Sequence, residues 1–95
     1  MKLAMVGLGK MGANMVRRLV QDDHQVVVFD VDAEAGQKLA KENQLITATA
    51  SLPSLIKSLD TPRDIWLMVP QQFVDQSIDD LQAAGLEAGD LIIDG

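Results

Sequence analysis

Three glycines near the N-terminus, Gly7, Gly9 and Gly12, have the Gly-x-Gly-x-x-Gly spacing of a turn that binds the phosphates of a dinucleotide. In such a turn the first glycine permits a sharp change of direction. The second lets the backbone approach a pyrophosphate, and the third lets a helix pack closely on a strand. Amide groups at the start of the helix then face the anion. The spacing therefore predicts a dinucleotide-binding turn, and the alternative is a tight strand-to-helix turn without a ligand.

Two acidic residues follow a run of valines, at the point where a second strand is predicted to end. Asp30 lies 18 residues after Gly12, and an acid there can accept both ribose hydroxyls of NAD and repel the 2′-phosphate of NADP. The alternative for Asp30 is a turn-forming role. Asp32 is interpreted as the N-cap of the next helix. Because Val31 separates the acids and the first basic residue after them is Lys38, the sequence favours NAD over NADP.

Short apolar runs alternate with amphipathic stretches along the chain, which is typical of βαβ units and a parallel sheet. Strands are predicted over 3–6, 25–30, 45–48, 65–69 and 91–93, and helices over 10–21, 33–42, 51–58 and 73–84. The first helix is predicted to bury one stripe of side chains, those of Met11, Met15, Val16, Leu19 and Val20. The pattern predicts a doubly wound α/β fold of the Rossmann type. Because that fold usually has six strands in the order 3-2-1-4-5-6, five strands predict a sheet truncated after the fifth.

The composition excludes several classes of protein. A chain of 95 residues fits one domain, and the absence of cysteine excludes disulfide-stapled secreted domains and thiolate metal sites. With the single histidine, His24, interpreted as a turn residue, no metal site is predicted. The net charge of −6 argues against nucleic acid as a partner. No apolar run approaches the ~18 residues of a membrane span, so a cytoplasmic protein is expected. No group of residues typical of a catalytic site is detectable. The sequence therefore predicts that the chain binds a cofactor and contains no catalytic residues.

Three segments carry a resemblance to a known family. Residues 7–15, Gly-Leu-Gly-Lys-Met-Gly-Ala-Asn-Met, resemble the opening GLGxMGxNM of the 6-phosphogluconate dehydrogenases and their β-hydroxyacid dehydrogenase relatives. Residues 61–70 are similar to the fourth-strand segment of the shorter, bacterial type of decarboxylating 6-phosphogluconate dehydrogenase. Residues 91–95, Leu-Ile-Ile-Asp-Gly, resemble the start of its IIDGGNS motif. The resemblance implies that residues 1–95 are the NAD(P)-binding domain of an oxidoreductase of the pentose phosphate pathway, which converts 6-phosphogluconate to ribulose 5-phosphate.

The resemblance also implies a role for particular positions. Its phosphate-binding turn falls on Gly7, Leu8, Gly9, Lys10, Met11 and Gly12. The adenosine-ribose segment falls on Asp30, Val31 and Asp32, where NADP-using members have Asn-Arg-Thr. The segment that lines the nicotinamide side falls on Val69, Pro70 and Gln71. The family's substrate-binding Asn and catalytic Lys and Glu would follow Gly95, the latter two in a helical domain, so the 95 residues alone are predicted to be inactive.

Two alternatives and one expectation about partners remain open at this point. The chain could be a piece of a β-hydroxyacid dehydrogenase, or a non-catalytic nucleotide-binding module. The last predicted strand, Leu91–Ile93, has consecutive apolar side chains, and without a sixth strand its outer edge would be unpaired. The sequence therefore predicts self-association through this strand, most simply as a two-fold dimer.

Overall fold

The computed structural model describes all 95 residues and contains one five-stranded sheet. The strands are β1 (Lys2–Val6), β2 (Gln25–Phe29), β3 (Ile46–Ala48), β4 (Asp64–Leu67) and β5 (Leu91–Asp94). The helices are α1 (Lys10–Gln21), α2 (Ala33–Ala40), α3 (Leu52–Lys57) and α4 (Val74–Ala84), and a 3₁₀ turn (Gln71–Phe73) precedes α4. All four strand pairs are parallel, in the order β3-β2-β1-β4-β5. The predicted α/β class and strand order are confirmed.

The sheet separates two hydrophobic cores, because successive side chains of a strand point to opposite faces. In β1, Met5 packs into the core under α1 and α2, whereas Ala4 and Val6 pack into the core under α3 and α4. The buried residues of the first core lie within positions 5–46, and those of the second core lie within positions 4–81. Both faces of the central strands are therefore covered, as a parallel sheet requires. None of the helices is long and apolar enough to cross a lipid bilayer.

Side chains cap two of the helices where the sequence places a capping residue. The Asp32 carboxylate accepts a hydrogen bond from the Glu34 amide at 3.1 Å and begins α2. The Ser51 hydroxyl accepts one from the Ser54 amide at 3.2 Å and begins α3. Helix α2 ends at Ala40, earlier than predicted, because the chain turns at Asn43, whose side chain accepts from the Leu45 amide.

Three strands are shorter than predicted, and one residue of the predicted helix stripe is exposed. Strand β2 ends at Phe29, and β3 begins at Ile46. Strand β4 ends at Leu67, ahead of Pro70, which has no N–H to donate and starts the 3₁₀ turn. The side chain of Met11 is 73% exposed. Helices α1 and α2 cover only the β1–β3 part of this face of the sheet. Met11 therefore lies on an open flank of α1.

Arg63 joins three elements at the amino ends of β4 and β5. Its Nε donates hydrogen bonds to the carbonyl oxygens of Ile56 (3.0 Å) and Leu59 (3.3 Å), at the end of α3. Its Nη1 donates to the carboxylate of Asp90 at 2.8 Å. The same carboxylate accepts from the amides of Glu87 (2.9 Å) and Arg63 (2.8 Å). This network links the end of α3 to the amino ends of β4 and β5, at the end of the sheet opposite the glycine turn.

Candidate functional site

The first glycine of the turn has a backbone conformation and surroundings that exclude other residues. Gly7 has φ +98°, and its N–H donates to the carbonyl of Phe29 at 2.9 Å, directly after β1. A Cβ built on Gly7 would lie 2.6 Å from the carbonyl oxygen of Met68. Glycine alone takes this conformation at low cost and fits this space. The sharp turn predicted at Gly7 is therefore present.

The third glycine brings α1 against the turn. A Cβ built on Gly12 would overlap the carbonyl oxygen of Gly7. Gly12 is buried, and together with Val16 and Val20 it forms the buried line of α1. The close approach predicted for the third glycine is therefore also present, although its neighbour is the turn itself.

Gly9 differs from the other two glycines because no protein atom restricts it. A Cβ built on Gly9 meets nothing within 4 Å, and φ is −63°. Gly9 is the N-cap of α1 and has no capping side chain, and the first backbone bond of the helix runs from the Ala13 amide to the Gly9 carbonyl at 2.9 Å. The amides of residues 10–12 therefore have no acceptor in the helix. The space in front of Gly9, next to these amides and the dipole of α1, fits a phosphate group.

The two acidic residues after β2, Asp30 and Asp32, differ in burial and in hydrogen bonding. Asp30 is half-buried, and its Oδ2 accepts from the Leu8 amide at 2.6 Å while its Oδ1 accepts from the Asp32 amide at 2.8 Å. Val31 is 96% exposed, and Asp32 is exposed at the start of α2. Nothing in the sequence indicates the bond between Asp30 and Leu8, because the two residues are far apart in the chain.

Two basic side chains of α1, those of Arg17 and Lys10, differ in whether they make an ion pair. Arg17 on α1 makes two hydrogen bonds of 2.8 Å to the carboxylate of Glu42, and these bonds lower the pKa of Glu42. Arg17 is therefore engaged in linking α1 to the end of α2. Lys10, in the first turn of α1, is exposed and makes no ion pair, so its charge is available beside Gly9.

The third predicted segment lies beside the same turn. The Cγ1 of Val69 would lie 3.1 Å from a Cβ built on Gly7. Pro70 and Gln71 follow it and are exposed. The glycine turn, Asp30 and Val69 thus lie together at the carboxyl ends of β1, β2 and β4. This is the end of the sheet at which α/β proteins bind ligands. The structure places no group of three His, Cys, Asp or Glu side chains so that they could hold a metal ion.

Comparison with known proteins identifies the family of this chain. Residues 2–95 match the family model described as the NAD binding domain of 6-phosphogluconate dehydrogenase. The chain belongs to this family. The resemblance found in the sequence is confirmed.

Relatives agree with this assignment, and a solved structure matches the fold. The chain is 38% identical over 96 residues to the NAD(+)-dependent, decarboxylating 6-phosphogluconate dehydrogenase of Haloferax volcanii, covering all of this chain and 31% of the relative. It is 34% identical over 93 residues to the mitochondrial 3-hydroxyisobutyrate dehydrogenase of Drosophila melanogaster, covering 97% and 27%. The fold matches the 6-phosphogluconate dehydrogenase of Plasmodium falciparum with a TM-score of 0.87 and 24% identity, covering 100% and 21%. The chain thus spans less than a third of the length of these proteins.

Proposed function

We propose that this chain is the dinucleotide-binding domain of a decarboxylating 6-phosphogluconate dehydrogenase that uses NAD. The observation that carries the proposal is the open space at Gly9, beside the unpaired amides that begin α1. The alternative, a β-hydroxyacid dehydrogenase, is supported by the similarity to 3-hydroxyisobutyrate dehydrogenase. The Asp-Gly pair at residues 94–95, which resembles the 6-phosphogluconate dehydrogenase motif, favours the first assignment.

The residues of the site have separate tasks in this proposal. The amides beside Gly9, with Lys10, bind the pyrophosphate, and the segment 30–32 faces the adenosine ribose. Val69, Pro70 and Gln71 line the nicotinamide side. A bound nicotinamide ring supplies the acceptor for a hydride from the substrate. The chain contributes binding and orientation, and we expect the 95 residues alone not to oxidise 6-phosphogluconate.

Replacing Gly9 with alanine tests the phosphate-binding role. Nothing in the protein opposes the new methyl group, so the variant is expected to fold and to lose no more than about 1 kcal/mol of stability. The methyl group occupies the space in which the pyrophosphate would lie, and we expect the dissociation constant for NAD to rise at least about tenfold. Isothermal titration calorimetry measures the constant, and circular dichroism verifies the fold.

Gly36→Ala is the matched control for this experiment. A Cβ at Gly36, which lies on α2, makes ordinary contacts of 3.5–3.8 Å with the side chains of Ala48, Val28 and Leu8, so the variant should bind NAD as the natural chain does. Unchanged NAD binding by Gly9→Ala, or no NAD binding by the natural chain, would contradict the proposed function.

The preference for NAD is tested at Val31. Because this side chain is 96% exposed, its replacement leaves the fold intact. We expect the natural chain to bind NAD at least about tenfold more tightly than NADP, and Val31→Arg to tighten NADP binding by a similar factor, since a guanidinium can bind the 2′-phosphate. Val31→Gln, which adds length without charge, is the control. Tighter binding of NADP than of NAD by the natural chain would disprove the preference.

We further propose that the 95-residue chain self-associates through β5. This strand pairs only with β4, so its other edge offers unpaired backbone groups, and Leu91 is 52% exposed beside that edge. Analytical ultracentrifugation at high micromolar concentration is expected to show a dimer for the natural chain and a monomer for Leu91→Lys. A natural chain that sediments as a monomer would refute the proposal.

A further inference from the structure

The methionines of this chain differ widely in their exposure to an oxidant. The chain has five methionines and no cysteine, so thioethers are its sulfur groups. Met5 is fully buried, and Met15 and Met68 are partly buried, whereas Met1 and Met11 are 74% and 73% exposed. Because an oxidant must reach the sulfur atom, we expect Met1 and Met11 to be oxidised first.

The two exposed methionines differ in their distance from the glycine turn. Met1 precedes β1, and the five residues of this strand separate it from the turn by about 17 Å. Met11 is the second residue of α1, in the turn of the helix whose amides have no acceptor. Because helical side chains lean towards the N-terminus of their helix, the Met11 thioether lies next to these amides and to the space in front of Gly9.

A groove between α1 and the end of β4 gives access to the Met11 sulfur. Met11, Met15 and Met68 line this groove. The Cβ of Met68 lies 3.5 Å from the position of a Cβ on Gly12, and its carbonyl oxygen lies against Gly7. An oxidant in the groove therefore meets Met11 at the border of the glycine turn.

Oxidation changes the Met11 side chain from an apolar group to a hydrogen-bond acceptor. A hydroperoxide transfers one oxygen atom to the sulfur: the O–O bond breaks, an S–O bond forms, and the hydroperoxide is reduced to an alcohol, or to water if it is hydrogen peroxide. The thioether is a weak acceptor, whereas the sulfoxide oxygen is strongly polar.

The new oxygen has the reach of a carboxylate that caps a helix. It is the same number of bonds from Cα as a carboxylate oxygen of glutamate, and glutamate in the first turn of a helix is stabilised by the unpaired amides there. The sulfoxide of Met11 can therefore accept from the open amides of residues 10–12, which a phosphate would otherwise meet.

We propose that Met11 is a redox-sensitive modification site that controls access to the phosphate-binding amides of α1. In the thioether form these amides are open to a phosphate, and in the sulfoxide form the oxygen of Met11 occupies them. The proposal rests on the dinucleotide-binding function proposed above.

Treatment of the natural chain with hydrogen peroxide tests this control. Peptide mass mapping verifies that Met1 and Met11 are oxidised while the buried Met5 is not. We expect the dissociation constant for NAD, measured by calorimetry, to rise about tenfold. The two epimer-specific methionine sulfoxide reductases, with a dithiol that is oxidised to a disulfide while the oxygen leaves as water, are expected to restore the starting value.

Two variants assign the effect to Met11. Met11→Leu has no thioether at this position but keeps the equally exposed Met1, so we expect peroxide to change its dissociation constant for NAD by less than about twofold. Met11→Gln carries an acceptor of the same reach permanently, and we expect it to bind NAD about tenfold more weakly than Met11→Leu without peroxide. An equal loss of affinity in peroxide-treated Met11→Leu, or an unchanged affinity of the natural chain after Met11 is oxidised, would overturn the proposal.

A measurement without nucleotide separates this proposal from the proposed function. In proton–nitrogen NMR spectra of the ligand-free natural chain, we expect oxidation to shift the amide resonances of residues 10–12, and peroxide to leave those of Met11→Leu in place. Unshifted resonances in the oxidised natural chain would refute the contact between the sulfoxide and the amides. If the resonances shift but the natural chain binds no NAD, the proposed function fails and the control of binding fails with it. If the natural chain binds NAD equally well before and after oxidation, the proposed function stands and the control by Met11 is refuted.

Discussion

Gly12→Ala is expected to lose about 3 kcal/mol of folding stability. The added methyl group would overlap the carbonyl oxygen of Gly7, which is a backbone atom and not the end of a flexible side chain. Gly7 cannot retreat, because its amide is bonded to Phe29 and the Met68 carbonyl lies against it. Since a domain of this size is stable by only about 5–14 kcal/mol, the loss is a large fraction of the total. Urea unfolding followed by circular dichroism measures it.

The same experiment has an internal control. Gly36 is also a helical glycine, but a methyl group there has room, so Gly36→Ala should keep the natural stability or gain about 0.5–1 kcal/mol from helix propensity. If Gly12→Ala unfolds at the same urea concentration as the natural chain, the close contact between α1 and the turn is wrong.

Arg63→Met is expected to destabilise the fold far more than the removal of an exposed arginine. It deprives the carbonyl of Leu59 of its donor, at a cost of about 1–3 kcal/mol if that carbonyl stays unsatisfied. The carbonyl of Ile56 loses one of its donors and keeps the amide of Leu59 at 3.2 Å. The substitution also removes the guanidinium from Asp90, whose side chain is only 1% exposed. Arg18→Met, on the exposed face of α1, is the control and should be neutral. Equal unfolding midpoints for the two variants would contradict the assigned role of Arg63.

The same network predicts how stability responds to acid. The pKa of Asp90 is lowered from the ordinary 3.8, first by the hydrogen bond from the Glu87 amide and then by the amide and guanidinium of Arg63. A lowered pKa in the folded state means that the ionised form is stabilising, so this contribution is complete well above pH 3.8. It is lost as the pH falls through 3.8 towards the folded value. Asp90→Asn should remove this part of the acid dependence, as unfolding curves between pH 6 and pH 2 would show.

The parts of the fold that the sequence predicts well are those with local causes. Helix α1 begins and ends at the predicted residues because the glycines before Lys10 and the turn after Gln21 limit it. The caps at Asp32 and Ser51 are local as well. The strand order follows from the alternation of strands and helices, because right-handed crossovers leave few arrangements.

The features that the sequence does not predict depend on contacts between distant residues. The partners of Asp30 include an amide on another element, and nothing near position 30 indicates that Leu8 would be there. Met11 belongs to the apolar stripe by periodicity, but its exposure depends on where the neighbouring helices lie. The cofactor contacts of the site residues stay predictions that the binding experiments above address.

The separation of the hydrophobic residues into two cores has a consequence for the order in which the chain folds during its synthesis. The core under α1 and α2 takes its buried residues from positions 5–46, whereas the other core needs Leu81. During synthesis from the N-terminus, the first half of the sheet can therefore bury one face before α4 exists. We expect the β1-α1-β2 unit, with its glycine turn, to be the earliest part of the nascent chain to resist proteolysis.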